Sequence, residues 1–572
     1  MRRQQWALMI LFAVLLAGVV IFSGCLPQTH SRPDDQTPAV PEQQGEQAEE
    51  IDPEEERKRR ELEARLAEQR RLEERKQREE ELKAELGPFF VSLPPLDSPE
   101  NPPVKAKGIY LTGHTAGNTR RIQELLTLVD ETELNAMVID VKNDHGLMTY
   151  RSEIEIVNEV NANKGVVIKD IDALMTKLKE HNVYPIARIV VFRDPHLPEV
   201  KPEWAIQKRG GGLWRDRSGF AWVNPYDKNV WDYNIAIAKE AALKGFREIQ
   251  FDYVRFPENA RRVDLEAEFP YAQGRAKDEA IQEFLEYAQE QLAEYNVHLA
   301  ADVFGVIATS RNDADGIGQT WEKISPVVDI ICPMVYPSHY GPGYFGYRVP
   351  DANPDGVINR AMTDAIKRNA VLAEPAIIRP WLQSFTATWV RGHIPYGPQE
   401  VRRQIEAALA LGIDEYLIWN PGNKYHRDAF LAEAEAAALE QEAEAKRLAN
   451  NLDLLGRTKE AALKDYLTAV VNKNWREIYL WQVRDFSLNE EDFQNWVAGW
   501  TGKLTAYSQI LVEEIDDENT LFTVRLTLEL PGGQEQPEEV FRVLPEQGVW
   551  KVNPPETFLK KIAGAKSQET PG

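Results

Sequence analysis

Cysteine is nearly absent from this chain of 572 residues, which contains only Cys25 and Cys332. Cys25 lies at a potential processing site and Cys332 lies inside a predicted strand, so the two thiols are poorly placed to pair. The sequence therefore predicts no disulfide framework.

Positively charged residues are fewer than negatively charged ones. Asp and Glu number 91 against 67 Lys and Arg, which gives a formal net charge of −24. Such a chain repels phosphate backbones, and no dense basic patch with interleaved aromatic residues occurs in the predicted folded regions. We therefore expect no nucleic-acid partner.

Histidine, with 9 residues, shows no pattern typical of a metal site. His114, His145, His196 and His339 are scattered over predicted loops without the spacing of metal ligands. Metal binding is the weaker alternative, and we expect neither a metal nor another cofactor.

Apolar and aromatic residues are plentiful. The hydrophobic share is 43% and there are 14 Trp, enough for a large core and for aromatic surface that stacks on flat ligands. A chain of this length is too long for one hydrophobic core, so several domains are expected.

The N-terminus has the pattern of an export signal. Arg2 and Arg3 precede an apolar run from Trp6 to Phe22, and Ser-Gly-Cys follows with Cys25 as its last residue. This order resembles a bacterial lipoprotein signal, which implies cleavage before Cys25 and lipid on its thiol. An uncleaved transmembrane anchor is the alternative, although the run is short for that purpose. Either way, we expect residues 1–25 to attach the protein to the extracytoplasmic face of the cell membrane.

Two polar segments follow the signal. Residues 26–52 are rich in Pro, Gln, Glu and Thr and cannot bury enough apolar surface to fold, which predicts a disordered tether. Residues 53–87 consist of strong helix formers with opposite charges three or four apart. Because their leucines keep no heptad, a single solvated helix is expected rather than a sustained coiled coil.

Residues 88–440 alternate short apolar β-rich runs with amphipathic helical stretches. Eight such units predict an α/β fold of the (β/α)8 TIM-barrel type, and a doubly wound open sheet is the alternative. The strands are predicted near residues 106–112, 135–142, 184–191, 247–254, 297–303, 328–336, 376–383 and 414–420. We expect this segment to fold alone.

A separate unit is predicted at residues 456–560. The stretch from Thr458 to Trp481 reads as an amphipathic helix, residues 522–528 alternate as a half-exposed antiparallel strand does, and residues 549–552 predict a closing strand. The pattern resembles small α+β domains of the NTF2-like kind. Nothing in it has the spacing of a catalytic site.

Alternation along the barrel strands identifies charged side chains that face the axis. On the fourth strand Ile249, Phe251 and Tyr253 form the apolar set expected to pack on helices, which leaves Asp252 facing inward. The chemistry of such barrels lies at the C-terminal ends of the strands. The same count turns inward the charged residues Asp140, Lys142, Arg188 and Asp302.

Three carboxylates, a Lys and an Arg at one end of a barrel are costly unless they pair or have a task. A buried ion network that fills the mouth is one interpretation, and a catalytic set is the other. Aromatic and amide side chains at the same strand ends favour the second, because flat apolar faces suit sugar rings. These are Tyr110, Tyr336, Trp381, Gln383 and Trp419.

The barrel segment resembles a known family. Phe251 to Pro257 (FDYVRFP), together with KGIY at 107–110 and VIDVK at 138–142, is similar to a glycoside hydrolase family of bacterial envelope proteins also called DUF4015. The segment CPMVYPSHY at 332–340, which contains His339, is similar to the family's sixth-strand signature. The resemblance implies a TIM barrel related to α-amylase-like and chitinase-like hydrolases, in which an Asp after the fourth strand is often catalytic. The α-amylase pattern has Glu on strand five, where this chain has Asp302.

Together, these patterns predict a glycosidase that acts on an envelope or extracellular polysaccharide. Asp252 is the predicted nucleophile or stabiliser, Asp302 the proton donor, and Asp140 a supporting carboxylate. We expect Arg255 to reach back over Asp252 and keep it ionised. The predicted substrate-binding residues are Tyr110, Lys142, Arg188, Arg255, Tyr336, His339, Trp381, Gln383 and Trp419. A barrel that binds glycan without cleaving it and an envelope scaffold are the alternatives.

Overall fold

The structure is a computed structural model that describes residues 53–483, 490–514 and 520–564. The predicted export signal with Cys25 and the predicted tether lie outside the described residues. The predicted charged helix is present as Pro53–Leu86, whose side chains are mostly exposed. Pairs four residues apart, such as Lys58 Nζ and Glu54 Oε1 at 2.8 Å, line its surface. Within the described residues, no helix combines the length and the hydropathy needed to cross a bilayer.

Eight parallel strands form a closed barrel, and we name them β1 to β8 in chain order. They are Lys107–Leu111, Ala136–Lys142, Tyr184–Val190, Glu248–Asp252, His298–Phe304, Ile330–Met334, Trp381–Gln383 and Tyr416–Trp419. Each strand pairs with the next, β8 pairs with β1, and Trp381 of β7 pairs with Met334 of β6. The short strand Ile377–Ile378 also pairs with β6. The predicted TIM barrel is therefore confirmed, since a doubly wound sheet would stay open.

Helices connect the strands and cover the outside of the barrel. The longer ones are Thr119–Asp130, Ile171–Glu180, Lys228–Leu243, Lys277–Leu292, Pro354–Asn369 and Pro398–Leu409. Shorter ones are Gly113–Ala116, Glu155–Glu159, Leu197–Val200, Ala260–Glu266 and Trp321–Ile324. Two short strands, Gln207–Lys208 and Ala267–Glu268, pair outside the barrel.

The alternation of strand residues is as predicted except at two places, the end of β2 and Tyr253, which lies beyond the end of β4 and lines a cavity instead of packing only on helices. On β2, Ala136 and Val138 lie inside the barrel while Met137 and Ile139 join the outer core between sheet and helices. A β-bulge then interrupts the pairing with β3, because Asp140 pairs with Arg188 but Lys142 pairs with the next residue, Ile189. The extra residue turns the Lys142 side chain away from the axis, so the inward placement predicted for Lys142 is wrong.

A buried ion network occupies the end of the barrel opposite the catalytic candidates. The Arg379 guanidinium donates to both oxygens of Glu248 at 2.8 Å and to Glu415 Oε2 at 2.8 Å. Glu248 is the first residue of β4 and Asp252 is the last, so the network and the carboxylates lie at opposite ends of the same strand. The N-terminal end of the barrel is thus filled by a structural ion network, and we call the opposite, C-terminal end the upper end.

The C-terminal unit combines helices with an antiparallel sheet. The predicted helix from Thr458 to Trp481 is two helices, Lys459–Val471 and Trp475–Trp481, because Lys473 adopts a left-handed conformation with φ of 48° between them. The sheet strands are Lys503–Glu514, Thr520–Leu530, Gly533–Glu535, Glu538–Glu546 and Val549–Asn553. The helices Glu490–Ala498 and Glu556–Ala563 complete the unit. The predicted α+β domain is therefore present.

The barrel and the C-terminal unit are in direct contact. The fully buried Lys551 Nζ donates to the Ala370 carbonyl of the barrel at 2.6 Å. The helix Glu433–Ala449 runs past the predicted boundary at residue 440, and its Glu440 pairs with Lys107 of β1. The last barrel helix thus continues into the connection between the two units.

Candidate active site

Arg188 of β3 is the cation around which the carboxylates at the upper end of the barrel gather. Its side chain is buried, with Nη1 donating to Asp140 Oδ1 at 2.7 Å. Its Nε and Nη2 donate to Asp252 Oδ2 at 2.9 and 2.6 Å. Such multiple charge-assisted bonds hold a carboxylate in one orientation.

Asp252 is held on both of its oxygens. While Oδ2 accepts from Arg188, Oδ1 accepts from the backbone N–H of Tyr253 at 2.6 Å. Tyr253 itself adopts a left-handed conformation with φ of 50°, which redirects the chain directly after β4. Backbone strain of this kind concentrates at functional sites, because the surrounding structure must hold it in place.

Asp302 of β5 lies in a different electrostatic environment. Burial raises the pKa of its carboxyl well above the usual range, and the negative charge of Asp252 raises it further. The Trp381 indole N–H, which donates to Asp302 Oδ1 at 2.7 Å, opposes this rise only in part. Burial therefore favours the protonated form of Asp302, whereas Asp252 on the adjacent strand is bound by the Arg188 guanidinium.

Asp140 lies near the end of β2. Burial raises its pKa to about 6, against the opposing effect of Arg188. The Tyr110 hydroxyl donates to Asp140 Oδ2 at 2.8 Å, and the Tyr110 ring stacks on Trp419 with centroids 4.1 Å apart. Asp140 and Tyr110 thus hold the side chains of Arg188 and Trp419 in place.

A cleft of about 430 Å³ opens over these groups at the C-terminal ends of the strands. Its size suits a ligand of a few sugar rings. Eight residues predicted from the sequence line it: Arg188, Asp252, Arg255, Asp302, Tyr336, His339, Trp381 and Trp419. The structure therefore brings most of the predicted set to one place.

Three predicted substrate-binding residues, Tyr110, Lys142 and Gln383, do not line the cleft, and neither does the predicted supporting carboxylate Asp140. Lys142 Nζ donates to Asp194 Oδ2 and Asn234 Oδ1, both at 2.8 Å, and is fully buried behind β2. Gln383, also buried, donates to Asp351 Oδ1 at 3.1 Å. The Lys142 ammonium and the Gln383 amide thus bind neighbouring buried residues, so the predicted role of these two residues in substrate binding is wrong.

The predicted relation between Arg255 and Asp252 is also wrong. Arg255 lines the cleft, but its guanidinium donates to Glu258 Oε1 at 2.9 Å and to the Phe256 carbonyl at 3.0 Å. The cation bound to Asp252 is Arg188, which lies 64 positions earlier in the chain. Strand pairing, which places β3 beside β4, decides this contact.

Several cleft residues were not predicted. Asp144, in the loop after β2, lies 3.4 Å from Arg188 and is the third carboxylate on that guanidinium. Glu258, Phe304 and Tyr340 complete parts of the wall. Their positions in the sequence could have identified them, because each lies at or after the C-terminal end of a barrel strand.

A closed parallel barrel with two carboxyl groups in different electrostatic environments and aromatic side chains at its upper end defines a glycosidase-like TIM-barrel enzyme. Residues 108–425 match the family DUF4015, described as "Putative glycosyl hydrolase domain". The match spans more than half of the chain, so the chain belongs to this family.

Solved structures similar to the chain include a hypothetical protein from Ruminiclostridium thermocellum ATCC 27405. It is 43% identical, with 34% of this chain and 97% of that chain covered and a TM-score of 0.31. The glycoside hydrolase domain of PgaB (BpsB) from Bordetella bronchiseptica is 14% identical, with 60% and 98% covered and a TM-score of 0.42. The α-galactosidase TtGalA from Thermus thermophilus is 12% identical, with 63% and 64% covered and a TM-score of 0.36. No curated protein matches the chain by sequence.

Proposed function

We propose that the barrel hydrolyses O-glycosyl bonds of an envelope or extracellular polysaccharide, with Asp302 as the proton donor and Asp252 as the nucleophile or charge stabiliser. The observation that carries this proposal is the contrast between the two carboxyl groups. One is bound by a buried guanidinium, and the pKa of the other is raised by burial and by the charge of the first. Glycosidases require such a pair.

The reaction divides between the two groups. Asp302 gives its proton to the glycosidic oxygen as the bond to the leaving sugar breaks. Positive charge then develops on the sugar ring, and the ionised Asp252 stabilises it or bonds to the anomeric carbon. Arg188 and the Tyr253 N–H keep Asp252 oriented during this step, since they bind its two oxygens separately. Water then bonds to the anomeric carbon, displacing Asp252 if the sugar is bound to it, and gives its proton to the Asp302 carboxylate.

Aromatic walls support the choice of a sugar as substrate. Trp419, Trp381 and Tyr336 line the cleft beside the carboxyl pair. Trp419 is only partly buried and stacks on Tyr110, so its remaining surface is held at a defined angle toward the open space. Rigid rings of this kind bind the apolar faces of pyranose units.

The place of action follows from the N-terminal pattern. We propose that Cys25 carries lipid and anchors the protein to the extracytoplasmic face of the cell membrane, where polysaccharide is the accessible substrate class. The charge, the apolar run and the Ser-Gly-Cys order support this proposal.

A reducing-end assay across a panel of bacterial polysaccharides tests the activity. Asp252→Asn and Asp302→Asn should each lower turnover by about 10³-fold, as expected for loss of a catalytic carboxyl group. Asp355→Asn is the matched control, because that carboxylate lies on the outer helix Pro354–Asn369 and its side chain is 49% exposed. Melting temperatures should stay close to that of the parent protein.

Two results would count against the proposal. An Asp252→Asn protein with full activity would exclude this residue from the chemistry. A parent protein that binds oligosaccharides in the cleft but releases no reducing ends from any polysaccharide would establish a binding barrel instead.

A further inference from the structure

A second cavity of about 340 Å³ lies beside the catalytic cleft. Tyr253, Arg255 and Glu258 line both spaces, so the two are adjacent. We call the second space the annex. Loops after β3 and β4 and the segment 214–222 form its walls.

Arginine dominates the annex. Arg193, Arg217, Arg255 and Arg262 line it, against two carboxylates, Asp216 and Glu258. This balance is unusual in a chain whose net charge is −24. The catalytic cleft has the reverse balance, with four carboxyl groups and two arginines in its lining.

Both annex carboxylates are already engaged. Asp216 accepts from the Trp222 indole N–H at 3.0 Å and from the backbone N–H of Ser218 at 2.8 Å, which shapes the turn that carries them. Glu258 accepts from Arg255 at 2.9 Å. Within the described residues, neither of them makes an ion pair with Arg193 or Arg217.

Arg193 is the most informative of these arginines. Its side chain is only 20% exposed, yet among the described residues its guanidinium makes no hydrogen bond. The nearest carboxylate oxygen, Asp144 Oδ1, is 3.8 Å away. The guanidinium lies 5.1 Å from the Tyr253 ring centroid and 5.2 Å from that of Phe220, which hold it in place. A mostly buried cation with unused donors is costly unless a ligand supplies acceptors.

Arg217 and Arg262 add to this site in different ways. Arg217 is exposed at the mouth and makes no hydrogen bond or ion pair within the described parts of the chain. Arg262 is fixed by Glu266 at 3.0 Å, and its guanidinium lies 5.4 Å from the Trp214 ring centroid. The annex thus presents donors beside aromatic faces, a combination that suits a charged sugar.

We propose that the annex is a subsite for an anionic substituent of the glycan, a carboxylate, phosphate or sulfate, with Arg193 and Arg217 as the residues that bind it. The substrate is accordingly an acidic polysaccharide, whose reacting sugar lies in the cleft while a charged group on it or its neighbour enters the annex. This inference rests on the proposed glycosidase only for the nature of the ligand as a glycan. The binding of charge by the annex does not depend on hydrolysis.

Calorimetric titration of the full chain tests the annex without requiring turnover. The probes are a galacturonate tetrasaccharide, its carboxyl-reduced neutral form, and phosphorylated and sulfated tetrasaccharides of the same backbone. At least one charged probe should bind about tenfold or more tightly than the neutral one, and added salt should weaken that preference. The identity of the preferred probe distinguishes the three anions.

Variants identify the site. Arg193→Gln combined with Arg217→Gln should abolish the preference for charge while leaving affinity for the neutral probe within about twofold. Arg261→Gln is the matched control, since this exposed arginine lies on the same helix as Arg262 but outside the annex. It should preserve the preference. Circular dichroism and melting temperature check that each variant folds.

The proposal is overturned if no charged probe binds more tightly than the neutral one, or if Arg261→Gln removes the preference as fully as the annex variants do. A protein that prefers charged probes but cleaves no glycan would retain the annex site and refute the glycosidase instead. If the double variant fails to fold, Arg217→Gln alone decides the matter, because the exposed Arg217 should account for part of the preference.

Discussion

Replacing Asp140 by Asn should flatten the pH dependence of the stability of the barrel. Burial raises the pKa of Asp140 from 3.8 to about 6 in the folded protein. Because the folded state then holds this proton more tightly than the unfolded chain does, the contribution to stability is complete below about pH 4. It is lost as the pH rises through about 6. The pKa difference corresponds to about 3 kcal/mol.

The side chain that replaces Asp140 fits the same contacts. An Asn oxygen can accept from Arg188 Nη1 and its amide can donate to the Tyr110 hydroxyl oxygen, so the hydrogen bonds at 2.7 and 2.8 Å have substitutes. As the pH rises from 4 to 7, the unfolding free energy of Asp140→Asn should therefore increase by about 3 kcal/mol relative to that of the parent. This change is expected whatever the difference in stability between the two proteins at pH 4.

Urea unfolding followed by tryptophan fluorescence at several pH values from 4 to 8 measures this difference. Other titrating groups are shared by both proteins and cancel in the comparison. Parallel curves of unfolding free energy against pH for parent and Asp140→Asn would refute the reasoning. They would mean that Asp140 titrates alike in the folded and unfolded chains.

Three other outcomes are expected. Trp381→Phe removes the hydrogen bond that lowers the pKa of Asp302, so the alkaline limb of kcat should move to higher pH, and an unmoved limb would assign the proton to another group. Arg379→Met leaves Glu248 buried without its cation and should lower the free energy of unfolding in urea by about 3–5 kcal/mol. The affinity for glycan should not change. A loss of unfolding free energy below about 1 kcal/mol would contradict a stabilising role of the ion network. Cys25→Ala should release the protein from the membrane fraction, and a parent protein without fatty-acid label would contradict lipidation.

The barrel could be predicted from the sequence because its signals are local. Apolar runs that alternate with amphipathic helices recur eight times, and strand boundaries such as Tyr184–Val190 differ little from the prediction. The alternation along β4 and β5 also placed Asp252 and Asp302 toward the axis. The parallel sheet then brought both to one end, as the rule for such barrels requires.

The partners of these side chains could not be predicted, because they depend on distant parts of the chain. Arg255 is close to Asp252 in sequence, yet Arg188 binds Asp252, since β3 pairs with β4 and the chain turns sharply at Tyr253. A single bulge at the end of β2 removed Lys142 from the site. Neither the turn at Tyr253 nor the bulge in β2 can be recognised from the hydrophobic pattern of the sequence.

The charge states and the annex likewise belong to the tertiary structure. The sequence by itself determined the fold class, the export pattern and the residues that end the strands. Only packing decided that burial beside a negative charge raises the pKa of Asp302, while Asp252 is bound by a guanidinium. Arg193 and Arg217 meet in one cavity because the long connection between β3 and the helix Lys228–Leu243 folds back on itself. Burial and proximity, which set pKa values and ligand preference, exist only once the chain has folded.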